Sequence, residues 1–275
     1  MSAIFTDSTI LRTAAYDADD DLRARRETHE RYSERRDDFH DWVMGLLPRQ
    51  PQDALLDVGT GPGDFPRLLR ERGHAGAVCG LDLSEGMVRT ARSAAPTLQW
   101  LVADVQALPF GAGGWDGAMA RHMLYHVPDI SGAVAEMARV LRPGGWAVAT
   151  TNSVDSLALL FEVWKEVRHP LVVAEEKATD RFPLEGAARF FEPYFERVTT
   201  HVREDALLFP SPEPVKHYVA SSRALRLAPG HTEADWDEAK EQLFAAVERL
   251  WEREAEAGVL RVPKRSGLVL AEGKQ

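Results

Sequence analysis

Leu55-Leu56-Asp57-Val58-Gly59-Thr60-Gly61-Pro62-Gly63 decides the fold. An apolar run gives way to three glycines at alternate positions, and Phe65-Pro66-Arg67-Leu68-Leu69 then opens a helix. Glycine accepts positive φ and carries no Cβ, so a ligand can approach the backbone closely. A strand that passes through such a loop into a helix presents unpaired N–H groups to that ligand. The spacing alone also suits an ordinary tight turn, so its meaning depends on the residues downstream of it.

Val78-Cys79-Gly80-Leu81-Asp82 reads as a second short strand ending in an acid, with Ser84-Glu85-Gly86-Met87 starting a helix behind it. Trp100-Leu101-Val102-Ala103-Asp104 repeats the pattern. Asp57, Asp82 and Asp104 are 25 and 22 residues apart, the length of one strand–helix–strand crossover. Open parallel sheets bind ligands outside the carboxyl ends of their strands, so the loop and the three acids are expected to converge on one crevice. A helix N-cap is the simpler use of such residues, and Ser84 suits one. Three acids in register with a glycine loop need more than capping.

The segments LLDVGTGPG, GLDLSEGMV, ADVQALPF, WDGAMARHMLYHVPD and EMARVLRPGGWAVATT run from about residue 53 to 152. In combination they resemble the class I S-adenosylmethionine-dependent methyltransferases, the group of the ubiquinone and menaquinone enzymes and many small-molecule methyltransferases. The resemblance implies a Rossmann-like, doubly wound α/β sheet of seven strands whose last strand is antiparallel. It implies S-adenosyl-L-methionine as cofactor and S-adenosyl-L-homocysteine as product. Gly59, Gly61 and Gly63 would pass under its methionine part, and Asp82 would bond both ribose hydroxyls. Asp104 would face the adenine amino group and the Val105 N–H a ring nitrogen. Arg121 would lie near the methionine portion, and Thr60, Leu83 and Met87 would complete the contacts. Thr60 stands where many relatives have cysteine or serine.

The chemistry is consistent with that reading. A ribose diol offers two donors that one carboxylate can accept. An acidic crevice suits a sulfonium and an ammonium, whereas a pyrophosphate would need the opposite environment. The dinucleotide fingerprint G-x-G-x-x-G is absent, because Asp64-Phe65 follow Gly63, which leaves a nucleotide-cofactor oxidoreductase as the weaker alternative. A non-catalytic or accessory cofactor-binding protein of the same fold is the other alternative. The intact loop with both Asp82 and Asp104 favours the enzyme.

The 275 residues are 44% hydrophobic and 28% charged, as in ordinary folded domains. One cysteine, Cys79, excludes an intrachain disulfide. No signal peptide or membrane-length apolar run is read, so a cytoplasmic protein without membrane association is expected. The net charge is -10, which disfavours a nucleic-acid substrate. Arg23, Arg25, Arg26, Arg31, Arg35 and Arg36 alternate with Glu27, Glu30 and Glu34, as on a self-neutralised helix face. The expected partner is a small-molecule acceptor, with the chain a monomer or homodimer and no metal.

Residues 1–47 are expected to form an N-terminal helical cap, helical over 17–47, and 48–275 the core. The strands are expected at 54–58, 77–81, 98–102, 116–120, 146–151, 197–206 and 266–271. Helices are expected over 131–141 and 154–168, and from Phe182 to near Phe195. Pro210-Ser211-Pro212-Glu213-Pro214 reads as a stiff linker. A helical insertion over about 210–257 contains helices at 213–225 and 233–257. The second spaces Trp236, Leu243, Val247, Leu250 and Trp251 as a core stripe.

Methyl transfer is substitution at an already activated carbon. The protein therefore supplies alignment, plus a base where the acceptor is protonated. Arg121-His122-Met123-Leu124-Tyr125-His126 follows the fourth strand, where related enzymes bring substrate to the sulfonium. His122 and His126 are the candidate bases, and Tyr125 is a third candidate. Tyr16, His29 and Tyr32 from the N-terminal helices, with Asn152, Arg181 and Phe182 after the fifth strand, are the candidate acceptor-lining residues.

Overall fold

The computed structural model describes Thr6 and residues 19–173, 177–228 and 230–275. Two compact units emerge. One comprises residues 39–153, 178–202 and 266–275, and the other the described parts of 1–38, 154–177 and 203–265.

The first unit is built on strands β1 (Leu55–Val58), β2 (Val78–Asp82), β3 (Gln99–Val102), β4 (Trp115–Arg121) and β5 (Leu141–Asn152). With β6 (Phe195–Phe209) and β7 (Leu260–Lys274) they form one seven-stranded sheet of order β3-β2-β1-β4-β5-β7-β6. The pairings β1–β2, β1–β4, β2–β3 and β4–β5 are parallel. β7 runs antiparallel to β5, from Trp146 opposite Glu272 to Asn152 opposite Ser266. The expected antiparallel last strand is present.

Side-chain alternation sorts this unit into layers. Leu56, Val58, Ala118, Ala120, Ala147 and Ala149 belong to one buried cluster, completed by Val134 and Met137 of the helix Ile130–Val140. Leu55, Met119, Trp146 and Val148 belong to the other, completed by Phe65 and Leu69 of the helix Asp64–Glu71. Helices on both faces bury both sides of the parallel strands, which is why β1 is buried at all four residues. The strand order reverses between β1 and β4, so the ligand crevice of this architecture opens there.

The second unit is mainly helical. We number the longer helices α1 (Asp19–Tyr32), α2 (Phe39–Leu46), α3 (Asp64–Glu71), α4 (Glu85–Ala94), α5 (Ile130–Val140), α6 (Ala158–Lys165), α7 (Pro212–Ala220) and α8 (Glu233–Glu254). Of these α1, α6, α7 and α8 belong to the second unit. Trp236, Leu243, Val247 and Leu250 are buried against Leu160, Trp164, Val215 and Val219, and Trp251 is half-buried, so the α8 stripe is core. A Thr232–Asp235 capping box starts α8.

Three local expectations are corrected. The helix expected over 17–47 is broken at residues 33–38, where the Glu34 and Arg35 N–H groups donate to the Ala206 carbonyl and to Asp205. Residues Leu184–Phe190 form 3₁₀ turns instead of an α-helix. Leu184, Ala187 and Phe190 recur every three residues, the period of that tighter helix. The expected linker at Pro210–Pro214 is the start of α7, with Ser211 at its N-cap and Pro212 at its first position. Proline is tolerated there because its missing N–H would have no helical partner. Among the described residues no helix is long and apolar enough to cross a membrane.

Candidate functional site

The carboxyl ends of β1, β2 and β4 are aligned by register, with Val58 opposite both Leu81 and Ala120. The β1 loop turns on Gly59, Gly61 and Gly63, whose φ angles are +64°, +56° and +83°. Left-handed backbone of this kind is cheap only for glycine. The Thr60 N–H donates to the Leu81 carbonyl at 2.9 Å, and its Oγ1 donates to Asp57 at 2.7 Å. Thr60 thus holds the loop's own shape.

Asp82 closes β2. Its Oδ2 accepts the Gly61 N–H and its Oδ1 the Ser84 N–H, both at 2.9 Å. Each carboxylate oxygen has a second lone pair, so the two ribose-type hydroxyls it was expected to bind can still be accepted. Burial pushes the Asp82 carboxyl above its ordinary range, against the pull of the backbone N–H groups of Ser84, Gly61 and Leu83. The Ser84 side chain caps α4 through the Met87 N–H, and the Met87 side chain is buried in the core.

Asp104 accepts the Gln106 N–H at 2.9 Å and the Gln106 side-chain amide at 3.1–3.2 Å. The Gln106 side-chain oxygen Oε1 accepts the Asp129 N–H at 3.0 Å, tying the β3 loop to the β4 loop. Val105, at the head of a 3₁₀ turn, is buried. Asp57 is wholly buried and takes Arg121 in a fork, Nε to Oδ1 and Nη2 to Oδ2, both at 3.3 Å. Asp57 therefore serves Thr60 and Arg121 inside the fold, and the expectation that all three acids face the crevice does not hold for it.

Arg121 also lies over the Phe65 ring at 4.2 Å and donates to His40 Nδ1 at 3.3 Å. His122 follows at φ +50°, with its N–H donated to the Thr150 carbonyl and hydroxyl and its ring 5.5 Å from Phe39. A non-glycine residue at positive φ is strained, and such strain gathers at functional sites. The first two residues of α2 thus meet Arg121 and His122 at the end of β4. Sequence reasoning passed over Phe39 and His40, which lie some 80 positions from their partners. No local pattern marks that contact.

Tyr125 and His126 share the 3₁₀ turn Leu124–His126, their rings 4.7 Å apart. Arg181 was expected to line an acceptor pocket. Instead its guanidinium donates to the carbonyls of Tyr125 (2.9 Å), Val127 (2.8 Å) and Pro128 (3.0 Å), and burial lowers its pKa. It holds the turn that carries the two candidate residues. Phe182 is wholly buried against Phe190, and its carbonyl accepts the Thr151 hydroxyl, so it is core, not pocket lining. Asn152, half-buried, ends β5 opposite Ser266. His29 and Tyr32 belong to the helical unit, where His29 meets Tyr218 and Lys264 and Tyr32 packs on Phe209. Tyr16 lies outside the described residues.

Arg181→Met should lower stability by about 1–3 kcal/mol, through the loss of charge-assisted bonds to the turn. The amides of His126 and Val127 should exchange faster with deuterium, while those of β1 and β2 stay protected. Unchanged exchange in the turn would show that Arg181 does not hold it.

Residues 56–149 match the methyltransferase domain family. The chain is 33% identical over 130 residues to malonyl-(acyl-carrier protein) O-methyltransferase of Serratia marcescens, covering 47% of this chain and 50% of that one. It is 32% identical over 163 residues to trans-aconitate 2-methyltransferase of Azoarcus sp., covering 58% and 62%. It thus spans about half the length of most of the curated relatives it matches. Among solved structures, a candidate methyltransferase of Bacillus halodurans superposes with a TM-score of 0.57 at 18% identity, covering 86% of this chain and 99% of that one. At that identity the likeness speaks for the fold. Over residues 56–149 this chain matches the methyltransferase domain, and that stretch lies on the seven-stranded sheet whose β7 is antiparallel to β5.

Proposed function

We propose that this protein transfers a methyl group from S-adenosylmethionine to an oxygen, nitrogen or carbon nucleophile of a small molecule. The observation that carries this reading is the Gly61–Asp82 pair. A glycine whose added Cβ would meet no protein atom within 4 Å donates its N–H into a carboxylate that keeps lone pairs to spare. That arrangement fits a ribose diol lying against the loop.

In this reading Asp82 holds the ribose hydroxyls, with Leu83 beside it, and Asp104 with the Val105 N–H reads the adenine edge. Arg121 has five N–H donors, of which three are engaged by Asp57 and His40. The remaining two hold the methionine carboxylate. When bound, the cofactor supplies a methyl activated by a sulfonium. The chain's own task is to align the acceptor and, where the acceptor is protonated, to take its proton. His122 or His126 takes that proton, and Tyr125 lines the same turn. Malonyl and trans-aconitate groups both carry carboxylates, and an ionised carboxylate oxygen needs no base. For an acceptor of that class alignment alone suffices.

Two measurements test the reading. Titration calorimetry should show S-adenosylhomocysteine binding, and none is expected for a dinucleotide. With an acceptor that carries a proton, whichever histidine takes it should cost turnover about 10²-fold or more as alanine, at unchanged S-adenosylhomocysteine affinity. If His122→Ala and His126→Ala both keep near-full turnover on such an acceptor, neither is the base.

A further inference from the structure

We propose that His40 is a positioning residue for the cofactor, acting through Arg121. The proposal rests on the reading of Arg121 given above. An arginine guanidinium only donates, so His40 Nδ1 must accept the Nη1 hydrogen across their 3.3 Å contact. His40 is therefore neutral on that nitrogen, with its ring proton on Nε2.

Arg121 needs this third anchor. The Asp57 fork engages Nε and Nη2, on one side of the guanidinium plane's outline. Phe65 supports one face at 4.2 Å and sets the height of the plane, not the direction of its far nitrogen. Among the described residues, Nη1 is reached only by His40. Asp57, Phe65 and His40 come from β1, α3 and α2, so three separate elements frame one side chain that is 11% exposed. One donor is left on each terminal nitrogen, a pair suited to the two oxygens of a carboxylate. A guanidinium held on only one edge would have to be ordered by the cofactor itself, at a cost in affinity.

The test uses two probes. S-adenosylhomocysteine carries the amino-acid part, and 5′-methylthioadenosine keeps the nucleoside and thioether but lacks it. His40→Ala should weaken S-adenosylhomocysteine about three- to tenfold, the scale of one lost hydrogen bond. It should leave 5′-methylthioadenosine unchanged. His40→Asn, whose amide oxygen can accept from Nη1, should recover most of the loss. Arg121→Ala should show the same selectivity with a larger effect. If His40→Ala binds S-adenosylhomocysteine like the wild type while Arg121→Ala does not, the proposal is overturned and the reading of Arg121 stands. Equal weakening of both probes by His40→Ala also overturns it, because the role is then general packing. If Arg121→Ala itself leaves S-adenosylhomocysteine unaffected, the reading of Arg121 fails and the proposal with it.

Discussion

Asp82→Ala should weaken S-adenosylhomocysteine binding by about 1.5–3 kcal/mol, roughly ten- to 150-fold, the range for hydrogen bonds to a charged group. The fold should survive. Asp82 is half-buried at a strand end, and its side chain holds two loop N–H groups, those of Gly61 and Ser84, without belonging to a hydrophobic cluster of the core. The same site makes a pH prediction. Burial raises the Asp82 pKa, so on acidification it takes up its proton earlier than an ordinary aspartate. A protonated carboxyl no longer accepts both hydroxyls, so affinity should fall as pH drops through that raised value and be full above it. In Asp82→Asn affinity should be lower throughout and should lack that descent. A wild-type dissociation constant in Asp82→Ala, measured by calorimetry, would remove the ribose assignment.

The elements that position this site were legible because their signals are local. The alternation that places Leu56 and Val58 on one face and Leu55 on the other is written in four consecutive residues, and strand ends follow from it. The glycine loop, Asp82 and Asp104 are legible for the same reason. What escaped depends on long-range contact. Asp57 looks like its two counterparts until Arg121, 64 positions away, is seen to occupy it. Arg181 resembles a pocket residue until its reach across 53–56 positions to three carbonyls is known. Phe182 looks like ligand lining because aromatics suit both pockets and cores, and only its zero exposure decides. Pro212 misled through the opposite route, since a proline cluster disfavours a helix interior but is welcome in a first turn.

The three loop glycines should respond differently to substitution, and Gly61→Val carries the largest expected loss of binding. All three have positive φ, but their surroundings differ. A Cβ on Gly59 would lie 2.6 Å from the Met123 Cγ, and one on Gly63 would lie 2.5 Å from the Trp100 ring and 2.9 Å from the Ala91 Cβ. Those two glycines are required by the protein's own packing, so Gly59→Ala and Gly63→Ala should lose stability first. A Cβ on Gly61 meets no protein atom within 4 Å. Valine there incurs the left-handed backbone penalty, about 1–2 kcal/mol, with some addition for its branched Cβ. The protein should therefore still fold, with a lowered melting temperature. Its isopropyl group would stand where the proposed cofactor passes, and any shift of the loop would pull the Gly61 N–H off Asp82. Calorimetry with S-adenosylhomocysteine should show no measurable binding for Gly61→Val and an intermediate loss for Gly61→Ala. A folded Gly61→Val protein that binds S-adenosylhomocysteine like the wild type would mean that the loop is only a turn and that the cofactor, if bound, lies elsewhere.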